Sequence, residues 1–309
     1  MPCERGRFAP SPSGPLHFGS LIAALGSFLA IRSRGGEWLV RIEDLDKPRE
    51  APGAAADILH TLERLGLFWD GPVLYQSRRS EHYEAALERL RDRLYPCVCS
   101  RRDIANAAVQ GVEGPIYPGR CRRVSAPVNR PAALRVLTDD RPITFHDQFH
   151  GCYTQRLESE IGDFIVRRAD GLFAYQLAVV VDDAAQGITQ VVRGSDLLSS
   201  TPRQIYLQGL LNLPTLTYGH LPVAKDRQGH KLSKQTGAAA LDLRQPAALL
   251  FQALIFLNQR PPWELSGMTP SAVLAWAIKH WNPARVPAPF GKRGFTKDNP
   301  KNITDADSG

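Results

Sequence analysis

The amino-acid sequence predicts an α/β fold built around a parallel, doubly wound sheet. Strand-like and helix-like stretches alternate from Arg7 to Leu94, and the alternation returns near Gly162-Asp163-Phe164-Ile165-Val166. Turn-forming residues gather where the strands stop, as at Pro10-Ser11-Pro12-Ser13-Gly14.

The first strand, Arg7-Phe8-Ala9, ends at Pro10 and Pro12, which cannot continue a ladder. Leu21, Ala24, Leu25, Phe28 and Leu29 then share one face at helical spacing, so a buried helix begins at about Phe18. Between them, the turn SPSGPLHFGS sets His17 at the lip of that helix. A strand, a tight turn and a helix N-terminus together offer an anion free backbone N–H groups and the positive end of the helix dipole. Trp38-Leu39-Val40-Arg41-Ile42 forms the second strand and runs into the acidic cluster Glu43-Asp44-Leu45-Asp46. A helix over 53–66 is lined by Ile58, Leu62 and Leu65. Val73-Leu74-Tyr75 is the third strand, and Ser80 caps a helix running to about Leu94. Ligands of such sheets bind beyond the carboxyl ends of the strands, where the His17 turn and Glu43 both lie.

The rhythm breaks after residue 95. Between 97 and 141 stand Arg101, Arg102, Arg120, Arg122, Arg123, Arg130, Arg135 and Arg141, against only Asp103, Glu113, Asp139 and Asp140. The block at about 95–145 therefore reads as a basic insertion. After the return at 162–166, FAYQLAVVVDDAAQG reads as a strand leading into a helix. Residues 245–280 read as helical, with Leu249, Leu250, Ala253, Leu254 and Leu257 on the buried face, and the polar stretch at 291–309 reads as a disordered tail. The chain divides on this reading into 1–240, 241–290 and 291–309, with no internal repeat.

Composition bounds the function. With 309 residues, 43% hydrophobic and 22% charged, the chain has enough apolar surface for a large core. Its longest apolar run, Leu21 to Ile31, is broken by Gly26 and Ser27 and falls short of the roughly 18 residues of a membrane span. The lack of a charged-then-apolar leader and the odd number of cysteines, five, predict a cytoplasmic protein in a reducing compartment. A net charge of +7 favours an anionic partner, nucleic acid first.

Two stretches carry chemistry. HKLSKQTGAAAL, residues 230–241, places Lys231 and Lys234 three apart in a loop of small residues, suited to contacting phosphates. Cys97-Val98-Cys99 and Cys121 give three thiols in one short segment, where a structural zinc would need a fourth ligand. His82, His146 and His150 are candidates, and reduced buried thiols are the other reading.

Together these stretches resemble a known family. SGPLHFGS looks like the HIGH signature and KLSKQ like the KMSKS signature of class I aminoacyl-tRNA synthetases. RFAPSPSGPLHFGSL, RIEDLDKPR, YQLAVVVDD and VVRGSDLLSSTPRQIYL are similar to the glutamyl branch, and to its shortened members above all. The resemblance spans about residues 7–240. It implies a Rossmann-type class I catalytic domain with an inserted zinc-binding block and a short C-terminal helical segment.

The implied activity is that of a ligase. ATP with Mg2+ activates glutamate to glutamyl-adenylate, and the glutamyl group passes to queuosine in the anticodon of tRNA(Asp). By resemblance His17, Lys231 and Lys234 are catalytic, and His17, Gly19 and Lys234 hold ATP. Arg7, Ala9, Ser11, Glu43, Tyr175 and Arg193 form the glutamate pocket. In it Arg7, Arg193 and Tyr175 meet the side-chain carboxylate, and Glu43 meets the α-ammonium. Tyr117 becomes the fourth ligand of one zinc ion beside Cys97, Cys99 and Cys121. The related glutaminyl enzymes lack an arginine at the position of Arg193, which argues for glutamate over glutamine. Two residues depart from the full-length pattern: Ser20 replaces the second histidine of HIGH, and Gln176 stands where asparagine is usual.

The stretch after Leu241 is too short to build an anticodon-binding region beside the helices of 245–280. The family's shortened member instead takes the anticodon arm into the active site, and the arginine-rich block would then hold the arm's phosphates. A monomer with no membrane attachment is expected. Three alternatives remain at this point: a nucleotidyltransferase acting on another substrate, a non-catalytic RNA-binding relative, and a truncated glutamyl-tRNA synthetase charging a tRNA 3′ end. The first has no need of Arg7, Glu43, Tyr175 and Arg193, and the second is at odds with intact His17 and Lys234.

Overall fold

The computed structural model describes residues 4–107, 109–111, 113–123, 130–224 and 239–288. Lys231, Lys234, Cys3 and the polar tail at 291–309 lie outside the described residues.

The opening alternation folds as β1 (Arg5–Phe8), α1 (Phe18–Arg32), β2 (Glu37–Ile42), α2 (Ala54–Arg64), β3 (Leu74–Tyr75) and α3 (Ser80–Arg89). β1, β2 and β3 form a parallel sheet, with Phe8 opposite Val40 and Ile42 opposite Tyr75. The middle of the chain supplies β4 (Leu94–Cys97), α4 (Arg101–Ala107), β5 (Gln110–Gly111), β6 (Gly114–Pro115), β7 (Ala133–Val136), β8 (Pro142–Asp147) and β9 (Gly151–Arg156). After α5 (Leu157–Glu160) and β10 (Ile165–Arg167) come α6 (Tyr175–Ala185), β11 (Gln190–Gly194), α7 (Thr201–Leu210) and β12 (Thr217–Leu221). β11, β12 and β8 are parallel neighbours, with β9 added antiparallel at the edge. This sheet meets the first where Thr189 N donates to Arg5 O at 2.9 Å.

Side-chain alternation gives the joined strands two unlike faces. Phe8, Trp38, Val40, Ile42 and Val192 pack with Leu21, Leu25, Phe28 and Leu29 of α1 into the main apolar core. Each fully buried side chain of that size contributes roughly 1.5–3 kcal/mol. α8 (Pro246–Phe256) and α9 (Pro270–His280) close the same core through Leu250, Leu254, Leu257 and Val273. On the opposite face the alternate positions are Arg7, Leu39, Arg41, Val191 and Arg193, a mixed polar surface crossed by α6.

Three local readings of the sequence change. The helical stretch 245–280 is two helices, because Asn258 and Arg260 take positive φ (57° and 56°) and Pro261-Pro262 follows, before a 3-10 turn at Trp263–Gly267. Ile165–Arg167, which looked like a return to the parallel pattern, pairs antiparallel with β7, and β7 with β4. The helix from Ser80 stops at Arg89, and Leu94 already begins β4. Among the described residues no helix is long and apolar enough to cross a membrane.

Candidate active site

His17 is the N-cap of α1, with extended backbone (φ −116°, ψ 174°), and its Nδ1 accepts the N–H of Ser20 at 3.3 Å. An accepting Nδ1 assigns the proton of the neutral ring to Nε2, which becomes a donor at the positive end of the helix. Ser20, where the second histidine of HIGH would be, thus fixes the tautomer of the first. Gly19 lies in the first turn of α1, Ala9 follows β1, and Ser11 is exposed on the turn. Glu43 N donates to Pro10 O at 3.0 Å, which ties this turn to the end of β2. Leu241 N donates to Leu16 O at 3.0 Å and Ala240 bridges His17, so the chain returns from the predicted lysine loop to the same turn.

The polar face of the sheet gathers four charges. Asp183 of α6 accepts from Arg7 through Nε and Nη2 at 3.0 and 3.3 Å, and from Arg41 Nη1 at 2.7 Å. Arg41 Nη2 reaches Glu43 Oε1 at 3.4 Å. Burial pushes the Asp183 carboxyl up, but Arg41 and Arg7 win and hold it below the usual carboxylate range. Glu43 is the reverse case: burial raises it against the pull of Arg41 and Arg7. A raised buried carboxyl gains most from a cationic partner, which suits Glu43 to an incoming ammonium.

Arg193 stands beside this group. Its Nη1 donates to Tyr175 Oη at 3.1 Å, its Nε to His220 Nε2 at 3.1 Å, and its Nη2 to Thr201 Oγ1 at 2.8 Å and Leu197 O at 3.4 Å. Burial raises the Tyr175 phenol, with Arg193 and Arg7 opposing and Glu43 adding to the shift, so all three charges act on one hydroxyl. The predicted residues Arg7, Glu43, Tyr175 and Arg193 therefore converge, whereas Lys231 and Lys234 lie outside the described residues. Sequence reasoning missed Arg41, Asp183, His220, Asp147 and Thr201. Arg41 could have been found from strand alternation with Glu43, two positions on, and the two residues of YGHLP at the end of β12 that face inward were a second signal.

The thiols also come together. The Sγ atoms of Cys97, Cys99 and Cys121 lie within 4.8 Å of one another, with Cys99 and Cys121 3.6 Å apart. Tyr117 Oη lies 3.3 Å from Cys97 Sγ and 4.0 Å from Cys99 Sγ, and accepts the N–H of Cys121 at 3.0 Å. A tetrahedral zinc with bonds of about 2.3 Å to sulfur and 2.0 Å to oxygen needs S···S near 3.8 Å and S···O near 3.5 Å, so the four residues fit the ion. Burial pushes the Cys121 thiol up, but bonding from Tyr117, the Val98 amide and the other thiols brings it down to about 7. Cys99 is pushed up to about 11 by burial and its bond to Cys121. None of the three alternative histidines joins this cluster: His82 and His146 are exposed, and His150 Nε2 bonds His220 O at 2.9 Å. Gly162 allows Tyr117 its position. At φ +78° a Cβ there would lie 2.5 Å from Tyr117 O.

Comparison with known proteins gives the chain a family. Residues 5–258 match the family described as tRNA synthetases class I (E and Q), catalytic domain. The chain is 56% identical over 284 residues to the glutamyl-Q tRNA(Asp) synthetase of Thiobacillus denitrificans, covering 91% of this chain and 94% of that one. It is 57% identical over 288 residues to the protein of that name from Dechloromonas aromatica, covering 92% and 95%. Among solved structures, a glutamate tRNA ligase from Elizabethkingia meningosepticum shares the fold at a TM-score of 0.75 and 24% identity, covering 94% of this chain and 66% of that one. The chain belongs to the class I tRNA synthetases of the E and Q group, and within it to the glutamyl-Q tRNA(Asp) synthetases.

Proposed function

We propose that the protein activates glutamate with ATP and transfers it to queuosine in the anticodon of tRNA(Asp), acting as a cytoplasmic monomer. In the first step a glutamate α-carboxylate oxygen attacks the α-phosphorus of ATP, and the bond to pyrophosphate breaks. In the second a hydroxyl of queuosine attacks the activated carbonyl, and AMP leaves. Both steps need positioning and charge stabilisation more than covalent help. His17 Nε2 and the first turn of α1 at Gly19 meet oxygens of the Mg2+-bearing triphosphate, and Lys234, with Lys231 nearby, neutralises the leaving pyrophosphate. Glu43 takes the α-ammonium, while Ala9 and Ser11 form the wall of the pocket beside β1. Arg193 and Tyr175 take the side-chain carboxylate. Arg7, already paired with Asp183, adds its field from the next position.

The observation that carries the amino-acid assignment is Arg193. It is 5% exposed and makes no ion pair among the described residues, a buried charge that a ligand carboxylate would complete. Queuosine as acceptor rests on the relatives that bear that name. Cys97, Cys99, Tyr117 and Cys121 would hold a zinc ion, which would supply a fixed, redox-inert crosslink. Of the eight arginines of the basic insertion, Arg135 is buried against Tyr117 and Arg122 and Arg141 are ion-paired. The exposed Arg101, Arg102, Arg120, Arg123 and Arg130 are therefore the ones suited to the phosphates of the anticodon arm, and binding there falls as salt rises. ATP–pyrophosphate exchange with a panel of amino acids, without tRNA, tests the first half: glutamate alone is expected to support it. Labelled glutamate offered with tRNA(Asp), with and without queuosine, and with tRNA(Glu) tests the second. Charging of tRNA(Glu), or equal charging of unmodified tRNA(Asp), would return the chain to the ordinary glutamyl-tRNA synthetases.

A further inference from the structure

We infer that Asp147 and His220 are positioning residues for Arg193, presenting its guanidinium to the ligand carboxylate while leaving its charge uncompensated. The inference rests on the reading that Arg193 receives the side-chain carboxylate of glutamate.

Arg193 and His220 are register partners on the adjacent parallel strands β11 and β12, so their side chains emerge together on one face. The carboxylate of Asp147, at the end of β8, is anchored by one oxygen: Oδ1 accepts the backbone N–H groups of Phe149, His150 and His220 at 3.0, 3.1 and 3.2 Å. Its other oxygen, Oδ2, lies 2.5 Å from His220 Nδ1. A carboxylate can only accept there, so the ring proton sits on Nδ1, and the lone pair of Nε2 faces Arg193 Nε–H and Thr201 Oγ1, each at 3.1 Å. The side chains of Asp147 and His220 are fully buried, which removes water as a competing partner.

The consequence is a count of donors. Nε is spent on His220, Nη2 on Thr201 and Leu197 O, and one Nη1 proton on Tyr175. Among the described residues one Nη1 proton is left, and Tyr175, whose oxygen accepts from Arg193 and Gln204, keeps its own O–H to donate. These two neighbouring donors match the two oxygens of one carboxylate. Arg7 shows the alternative. A carboxylate bonds it directly at 3.0 Å and takes up its charge, whereas at Arg193 an imidazole stands between the guanidinium and the carboxylate of Asp147. The interposed ring orients without neutralising, and the pocket therefore favours an anionic side chain over an amide of the same shape.

The three amides that hold Oδ1 make Asp147→Asn a sharp test. They fix the asparagine oxygen at that position and place its NH2 against His220 Nδ1. The ring must then carry its proton on Nε2, where it can donate to Thr201 Oγ1 but no longer accepts from Arg193 Nε–H. His220→Gln is the counterpart, losing the link to Asp147 but keeping an acceptor for Arg193 Nε. In pyrophosphate exchange, Asp147→Asn is expected to raise KM for glutamate by about 10²-fold with KM for ATP within about threefold. His220→Gln should raise KM for glutamate less, by about tenfold, and both should narrow the preference for glutamate over glutamine. A loss of active fraction alone would lower kcat and leave KM for glutamate where it was, and that result overturns the inference. So does an unchanged KM in His220→Gln should Asp147→Asn fail to fold. Arg193→Lys separates the two levels. If it leaves KM for glutamate unchanged, the pocket itself is misread; if it raises KM while both other variants do not, only the positioning role falls.

Discussion

Replacing Asp183 by asparagine tests the charge balance of the buried site. Asp183, Arg7 and Arg41 have side-chain exposures of 6%, 3% and 0%, so water does little to screen them. With Glu43 they form a set of zero net charge. Asp183→Asn leaves that set at plus one and turns an NH2 toward a guanidinium. Three charge-assisted hydrogen bonds to Asp183 weaken, each worth about 1.5–3 kcal/mol when intact, and breaking a buried pair typically costs about 3–5 kcal/mol. The expected loss is therefore about 3–5 kcal/mol, or on the order of 10 °C in Tm for a chain of this size. Urea unfolding followed by circular dichroism reads it as a lower midpoint at constant slope. Adding Arg41→Met restores neutrality and should recover most of the loss. A shift below about 0.5 kcal/mol in the single variant, or a double variant that merely sums two losses, would refute the electrostatic account.

Lys234→Ala should slow pyrophosphate exchange by on the order of 10²–10³, the cost of one oriented charge-stabilising donor; exchange at full speed would remove Lys234 from the reaction. Elemental analysis should find about one zinc per chain, with Cys99→Ser destabilising the segment around Tyr117 and leaving ATP binding intact; a fully folded metal-free preparation would count against the site. His220 is lowered to about 4, chiefly by burial. The unfolded chain, titrating near 6.5, therefore binds more protons between those pH values, so stability falls on acidification across that window by up to about 3 kcal/mol. His220→Gln should flatten that slope, and equal slopes in the two proteins would contradict the shift. Gly162→Ala meets both the positive φ and Tyr117 O, so it should weaken zinc retention in a chelator competition as well as lower Tm.

What could be read from the sequence was local. The strand, turn and helix from Arg7 through Arg32 were legible because proline punctuation and helical periodicity lie in one continuous stretch. Glu43, Tyr175 and Arg193 were legible as motif positions. Asp183 was not, because a DD pair near the end of a helix reads as solvated and only the crossing of α6 over the polar face buries it. His220 and Asp147 are far apart in sequence and meet through the pairing of β12 with β8 at Tyr218 and Asp147, a register that periodicity does not encode. The antiparallel joining of Ile165–Arg167 to β7 escaped for the same reason. The split between α8 and α9 was in the text as Pro261-Pro262 and went unread.

The two unlike faces of β1 and β2 also bear on how the chain finds its fold. A slip of β2 by one residue would turn Arg41 into the packing of α1 and Trp38, Val40 and Ile42 out over α6. That misaligned strand would bury an unpaired guanidinium at a cost of several kcal/mol and strand Asp183 without Arg41. The paired charges of the polar face thus also bear on folding, as a penalty against the wrong strand register. The neutral double variant Asp183→Asn with Arg41→Met should keep most of its stability at equilibrium and still lose this discrimination, populating misaligned and aggregating species on refolding.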